Sequence, residues 1–209
     1  DKEFIELREA AKRNDVFRAQ QLASSLVNYD FDDYVTYFRI KPQLFDSGGS
    51  ARSDTSADGL VSVFLNQYQG TAIADRMRND WLLVLGRRKD WINFDAEYAK
   101  FVLDDDTAVK CYALQSRLAK GESAVKIGTE AKAVLIDPRY FGQGCQELVP
   151  LLVQANGLSV SEAKAIGRAA AEIGYDTMSR RIGGEDPITE IVKSANKDPR
   201  KTFNDFSQN

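Results

Sequence analysis

The sequence predicts an all-α fold, a right-handed superhelix of stacked antiparallel helical hairpins in the manner of a tetratricopeptide-like α-solenoid. Three observations lead there. Apolar residues recur at helical spacing, as in Phe4, Leu7 and Ala11, then Val16, Ala19, Ala23 and Leu26, while long alternating β-branched stretches are missing. A helix that stops at a short polar turn, with a second amphipathic helix starting at once, recurs along the chain. Proline is rare, and Pro42, Pro138, Pro187 and Pro199 flank polar breaks where helices begin or end. Pro150 instead follows an apolar stretch, where it would kink a helix.

Taken in order, the first hairpin is REAAKRNDVFRAQQLASSL, turning at Asn14 and Asp15. Three more are LLVLGRRKDWINFDAEY around Lys89 and Asp90, SRLAKGESAVKIGTEA around Gly121 and Glu122, and LLVQANGLSVSEAKAIG around Asn156 and Gly157. Each turn holds a residue that stops or caps helices. The steps from Asp90 to Glu122 to Gly157 are 32 and 35 residues, the length of one helix-turn-helix unit in solenoid proteins. The gap after the first hairpin is roughly twice that and fits one further hairpin, Asp32 to Leu44 with Ala57 to Tyr68, joined by DSGGSARSDTS. Its Gly, Ser and Asp content predicts a flexible loop over about residues 46–56. A lone hairpin leaves an apolar face that only the next can cover, so the units stack, residues 1–209 read as a single superhelical domain, and the concave side is the natural binding surface. Length alone also fits two small domains. The end from about 183 to 209 is polar, and NKDPRKTFNDFSQN reads as a chain interrupted rather than capped. The start at Asp1, without a Met, fits a cleaved leader or a trimmed chain.

Composition narrows the function classes. A net charge of -3 argues against a nucleic-acid partner, because phosphate neutralisation needs a basic surface. No apolar run of about 18 residues is present to span a membrane. With no histidine, a His-based triad, a His general base and a His-containing metal site are ruled out by inventory. No Gly-rich phosphate loop or paired-carboxylate motif stands out, which leaves a self-contained enzyme the weakest of the functional classes. No cofactor is expected.

The stretch FLNQYQGTAIADRMRNDWLLVLGRRKDWINFDAEYAKF, with KCYALQSRLAKGE after it, resembles the superhelical domain of the soluble lytic transglycosylases of bacterial cell-wall metabolism. The match is in order and spacing: Phe64-Leu65 with Tyr68, Ala74-Asp75-Arg76, Trp81-Leu82, Asp90-Trp91, then Cys111-Tyr112 with Leu114-Gln115. It is strongest from about Ala57 to Gly121 and weakest after about Gly183. The resemblance implies a periplasmic protein whose lysozyme-like catalytic domain, which cuts the MurNAc-GlcNAc bond to 1,6-anhydro products, is absent from this chain. Its implied partners are peptidoglycan glycan strands, that missing C-terminal domain and other cell-wall proteins. The family's catalytic Glu lies in a Glu-Ser motif followed by Gly-Leu-Met-Gln; this chain has Glu122-Ser123 but no Gly-Leu-Met-Gln, and the pair falls in a repeat turn where it reads as a helix cap. The resemblance also implies a disulfide between Cys111 and Cys145, against the alternative of two reduced cysteines buried as small apolar residues.

Other candidates carry two readings each. Arg87, Arg88 and Lys89, like Arg180 and Arg181, either meet carboxylates of a peptide stem or complement a helix C-terminus. Asp104, Asp105 and Asp106 lack the alternating spacing of a calcium loop and read as the start of a helix near Thr107. Trp81, Trp91, Tyr98, Phe101 and Tyr112 either stack sugar rings or pack between helices, and their spacing with Leu and Ala favours packing. The rival to the cell-wall reading is a protein-interaction scaffold of tetratricopeptide-like logic.

Overall fold

A computed structural model describes residues 2–207, the side chain of Phe206 excepted. Every named element among the described residues is helical, and the single β-type feature is an isolated bridge between Phe45 and Ala51. The fold is therefore all-α. Where the sequence reading takes residues 1–209 as one domain, the contacts divide the chain into two compact units, 1–105 and 106–209. The first holds α1 (Lys2–Lys12), α2 (Val16–Ser25), α3 (Asp32–Ile40), α4 (Asp58–Gln67), α5 (Ala72–Arg87) and α6 (Trp91–Tyr98). The second holds α7 (Thr107–Ala119), α8 (Ala124–Val134), α9 (Gly142–Gln154), α10 (Val160–Glu172), α11 (Asp176–Gly183), α12 (Pro187–Lys197) and α13 (Pro199–Ser207).

The four predicted turns share one local chemistry. Asn14, Lys89, Gly121 and Asn156 all take positive φ, at 54°, 59°, 87° and 59°, the left-handed backbone that ends a helix. Each donates its N–H to the carbonyl three residues back, and the next residue's N–H reaches five residues back. Asn14 to Ala11 (3.1 Å) with Asp15 to Ala10 (3.0 Å), and Lys89 to Gly86 (3.1 Å) with Asp90 to Leu85 (3.0 Å), show the pattern. Gly121 to Leu118 with Glu122 to Arg117, and Asn156 to Val153 with Gly157 to Leu152, repeat it. Two orphan carbonyls are satisfied at each turn. The following helix is then capped within a few residues. Asp15 accepts from the Arg18 N–H and Asp90 from that of Asn93. Ser123 accepts from Lys126, while Ser159 and Glu162 cap each other reciprocally at α10. Gly174, at φ 83°, closes a fifth such turn between α10 and α11.

Within each unit a helix packs on its neighbour in the chain and on the one beyond: α1 on α2 and α3, α5 on α4 and α3, α9 on α8 and α7. That is the contact pattern of an α-solenoid. In the first unit the core gathers Leu7, Ala10, Ala19, Leu22 and Val35, with Phe4 and Phe38 against it. Met77, Leu82 and Leu85 line the buried face of α5, and full burial of each is worth roughly 1.5–3 kcal/mol. In the second unit Ile127, Phe141, Leu148 and Leu152 surround the two cysteines.

Two close approaches need glycine. A Cβ on Gly128 of α8 would lie 1.9 Å from the Gly157 carbonyl oxygen, and one on Gly144 of α9 would lie 2.5 Å from the Ala108 carbonyl oxygen of α7. Pro150 lies inside α9, which continues through it. Pro187 opens α12 behind the Asp186 cap, and Pro199 opens α13, so helices occupy the polar end through Ser207.

The loop over 46–56, expected to be flexible, makes specific hydrogen bonds. The Asp46 carboxylate accepts from the N–H groups of Gly48 and Ser50, both at 2.9 Å. The Asn14 side-chain amide donates to the Asp46 carbonyl (3.2 Å), and the Arg87 guanidinium donates to the Ala51 carbonyl (2.6 Å). The donors that reach this loop come from α5 and from the first turn, distant in sequence.

Candidate functional site

Cys111 on α7 and Cys145 on α9 are joined by a disulfide, with Cα atoms 5.0 Å apart and both residues fully buried. Around it the buried Gln115 amide donates to the Gly144 carbonyl (2.7 Å). The α7–α9 contact is thus tied by a covalent bond, a hydrogen bond and the Gly144 approach. This is a structural staple.

Glu122-Ser123 divides its roles. Ser123 caps α8, as expected of a repeat turn. Glu122 instead pairs with Arg117 at 2.7 Å and Lys126 at 2.9 Å, and Arg117 also grips Glu130. The Arg117 guanidinium, then Lys126, hold the Glu122 carboxyl down at about 2. A carboxylic general acid needs the opposite, a pKa raised toward the working pH.

The cationic run before Asp90 lies at the C-terminal end of α5, with Arg87 in its last turn and Arg88 at its C-cap, as the helix-terminus reading expects, and its guanidinium groups also reach across to an earlier segment. Arg88 forks onto the Asp58 carboxylate at 2.5 and 3.1 Å and donates to the Asp54 carbonyl at 2.9 Å, so with Arg87 it ties the 46–58 segment to the end of α5. Lys89 forms the left-handed turn and sits 5.8 Å from the Trp91 ring. Arg181 reaches Gln146 at 3.3 Å, and Arg180 is exposed. In the acidic run only Asp106 caps α7; Asp104 accepts from the Tyr98 hydroxyl (2.8 Å), and Asp105 takes Arg76 through both oxygens (2.9 and 2.7 Å). Burial and then the hydrogen bond to Asp104 push the Tyr98 hydroxyl pKa up. No group of acidic or sulfur ligands able to hold a metal occurs among the described residues.

Trp81, Phe101 and Tyr112 are buried, and Trp81 donates its ring N–H to Asp58 (2.9 Å). Trp91 and Tyr98 are half-buried and flank the Phe94 ring. Trp81, Phe101 and Tyr112 thus belong to the core, whereas Trp91 and Tyr98 pack on Phe94 of their own helix and stay part-exposed. Exposed aromatic side chains lie elsewhere, at Phe17, Phe31, Tyr34, Tyr140, Tyr175 and Phe203, and of these Phe31 and Tyr34 end a train of ring contacts through Phe4, Tyr29 and Phe38.

One concave feature combines an apolar floor with converging polar groups. Between α2 and α3 a groove of about 560 Å³ has Ala23, Leu26 and Val35 as its floor. Gln20, Ser24 and Asn28 line the α2 side, and Asp32, Thr36 and Arg39 the α3 side. Arg39 is part-exposed and Gln20 and Asn28 are exposed, and the side chains of all three have no partner among the described residues. Asp32 accepts from the Tyr68 hydroxyl. No sequence motif marks these residues; the signal is a helical face at 32, 35, 36 and 39 that mixes Val with polar groups, and a hairpin reading assigns such a face to packing.

No family model, no curated protein and no solved structure matches the chain.

Proposed function

We propose that the chain is the superhelical, non-catalytic part of a periplasmic peptidoglycan lytic transglycosylase, positioning glycan strands or the catalytic domain. The observation that carries the reading is the ordered residue series from Phe64 to Gln115, because its members are the ones that hold the helices together. Phe64, Leu65, Ala74 and Leu82 are buried core. Asp75 accepts from the Val102 and Leu103 N–H groups at 3.0 and 2.8 Å, fixing the end of the α6 segment against α5. Arg76 binds Asp105, Trp81 binds Asp58, Asp90 caps α6, Cys111 is bridged and Gln115 holds Gly144. A right-handed superhelix of stacked hairpins accounts for these roles, and the α-solenoid-like contacts support it. The ion-paired Glu122 supports a body without its own general acid. Co-sedimentation of the 209-residue chain with purified peptidoglycan sacculi tests the reading: retention in the pellet is expected. Absence from the pellet, together with a partner protein recovered by crosslinking in the periplasm, would replace it with the protein-interaction scaffold.

A further inference from the structure

We infer that the α2–α3 groove binds a short peptide with free ends, its carboxylate on Arg39 and its ammonium on Asp32. The inference stands apart from the cell-wall reading and rests on the groove alone. Its lining carries one unpartnered cation, one anion and two unpartnered amides over an apolar floor, the anatomy of a small-ligand site. Arg39, part-exposed and with no side-chain partner among the described residues, leaves its guanidinium fork open to a planar oxyanion, which it holds bidentately. A simple dianion is disfavoured because Asp32 lies on the same wall and offsets the charge of Arg39.

Spacing then selects the ligand's length. Asp32 and Arg39 are seven residues apart on one helix, about 10 Å along its axis at 1.5 Å per residue. An extended tripeptide spans roughly the same distance at 3.3–3.6 Å per residue. Its ammonium would donate to Asp32, whose carboxylate has acceptor sites left after taking the Tyr68 hydroxyl. The Gln20 and Asn28 amides face its backbone, and small side chains would rest on Ala23, Leu26 and Val35.

Trialanine titrated into the isotope-labelled full chain, followed by backbone amide shifts and the Arg39 side-chain Nε–H signal, tests the assignment. Saturable shifts are expected over residues 20–28 and 32–39 and at Arg39, with N-acetylated and C-amidated trialanine each binding about 10-fold more weakly, as the loss of one charge-assisted contact implies. Arg39→Gln should weaken trialanine by about 10-fold or more while leaving the weak binding of the amidated form unchanged. The end-blocked peptides keep the test independent of how the variant folds. Equal binding of free and blocked peptides, shifts confined to other helices, or no shift at roughly 10 mM trialanine would each overturn the proposal.

Discussion

Removing the Cys111–Cys145 bridge should destabilise the 106–209 unit selectively. The bridge closes a chain segment of 34 residues, for which the loop-entropy relation gives about 13 cal/mol/K, or about 4 kcal/mol at 25 °C. Both sulfur atoms lie in a fully buried setting beside Phe141 and Leu148, so Cys111→Ala with Cys145→Ala also empties a little core volume and the loss cannot be recovered by solvation. With a urea dependence of about 2 kcal/mol/M, the midpoint falls by about 2 M. Because the chain divides into two units, the midpoint is best read by hydrogen exchange of peptides from 106–209, with peptides from 1–105 as the internal control. Alkylation of the unfolded, unreduced chain provides the chemical control and should modify no thiol. Two alkylated cysteines, or a double variant whose 106–209 midpoint matches the parent, would refute the reasoning.

Four further outcomes are expected. Gly128→Ala, which in an open helix would stabilise by up to about 1 kcal/mol, should instead cost about 3 kcal/mol because its methyl meets the Gly157 carbonyl; a raised urea midpoint would contradict the close packing. Asp75→Ala should cost about 1.5 kcal/mol, because the part-buried Val102 and Leu103 N–H groups lose a charged acceptor, and thermal unfolding of the variant is the check. Arg88→Ala should speed tryptic cleavage after Arg52 by freeing the 46–58 segment, whereas an unchanged rate would mean that the loop is held by other contacts. Stability should also fall as pH drops from about 5 toward 2. The Glu122 carboxyl is depressed from an ordinary 4.5 to about 2 in the folded state, so its contribution is present above the unfolded pKa and is lost as pH falls through the folded one. Glu122→Gln should make that acid limb shallower in urea titrations at stepped pH.

Sequence reading located the four hairpin turns because their chemistry is local: Asn, Gly or a turn-forming Lys ends one helix, and Asp or Ser starts the next within three residues. Gly174 escaped it because that turn follows Asn156 by 18 residues, about half the repeat, so α10 and α11 form a tight pair where a full hairpin step is expected. The 46–56 loop and the cationic run look independent in sequence, yet each explains the other: Arg87 and Arg88 contact carbonyls and a carboxylate thirty or more positions upstream. Asp104 and Asp105 followed the same logic, since their partners Tyr98 and Arg76 lie on earlier helices. The groove at Arg39 was illegible because its chemistry lies in what the guanidinium does not touch, and only three-dimensional packing reveals an unmet donor.

The central claim, that this chain is a scaffold acting without a general acid of its own, is tested most directly by incubating it with purified sacculi and analysing the soluble fraction for anhydro-muropeptides. The account predicts chain bound to the pellet and no released product above a no-protein control. Product release that survives Glu122→Gln would reveal an unrecognised catalytic carboxylate, and release abolished by that substitution would overturn the assignment of Glu122 as an ion-paired turn residue.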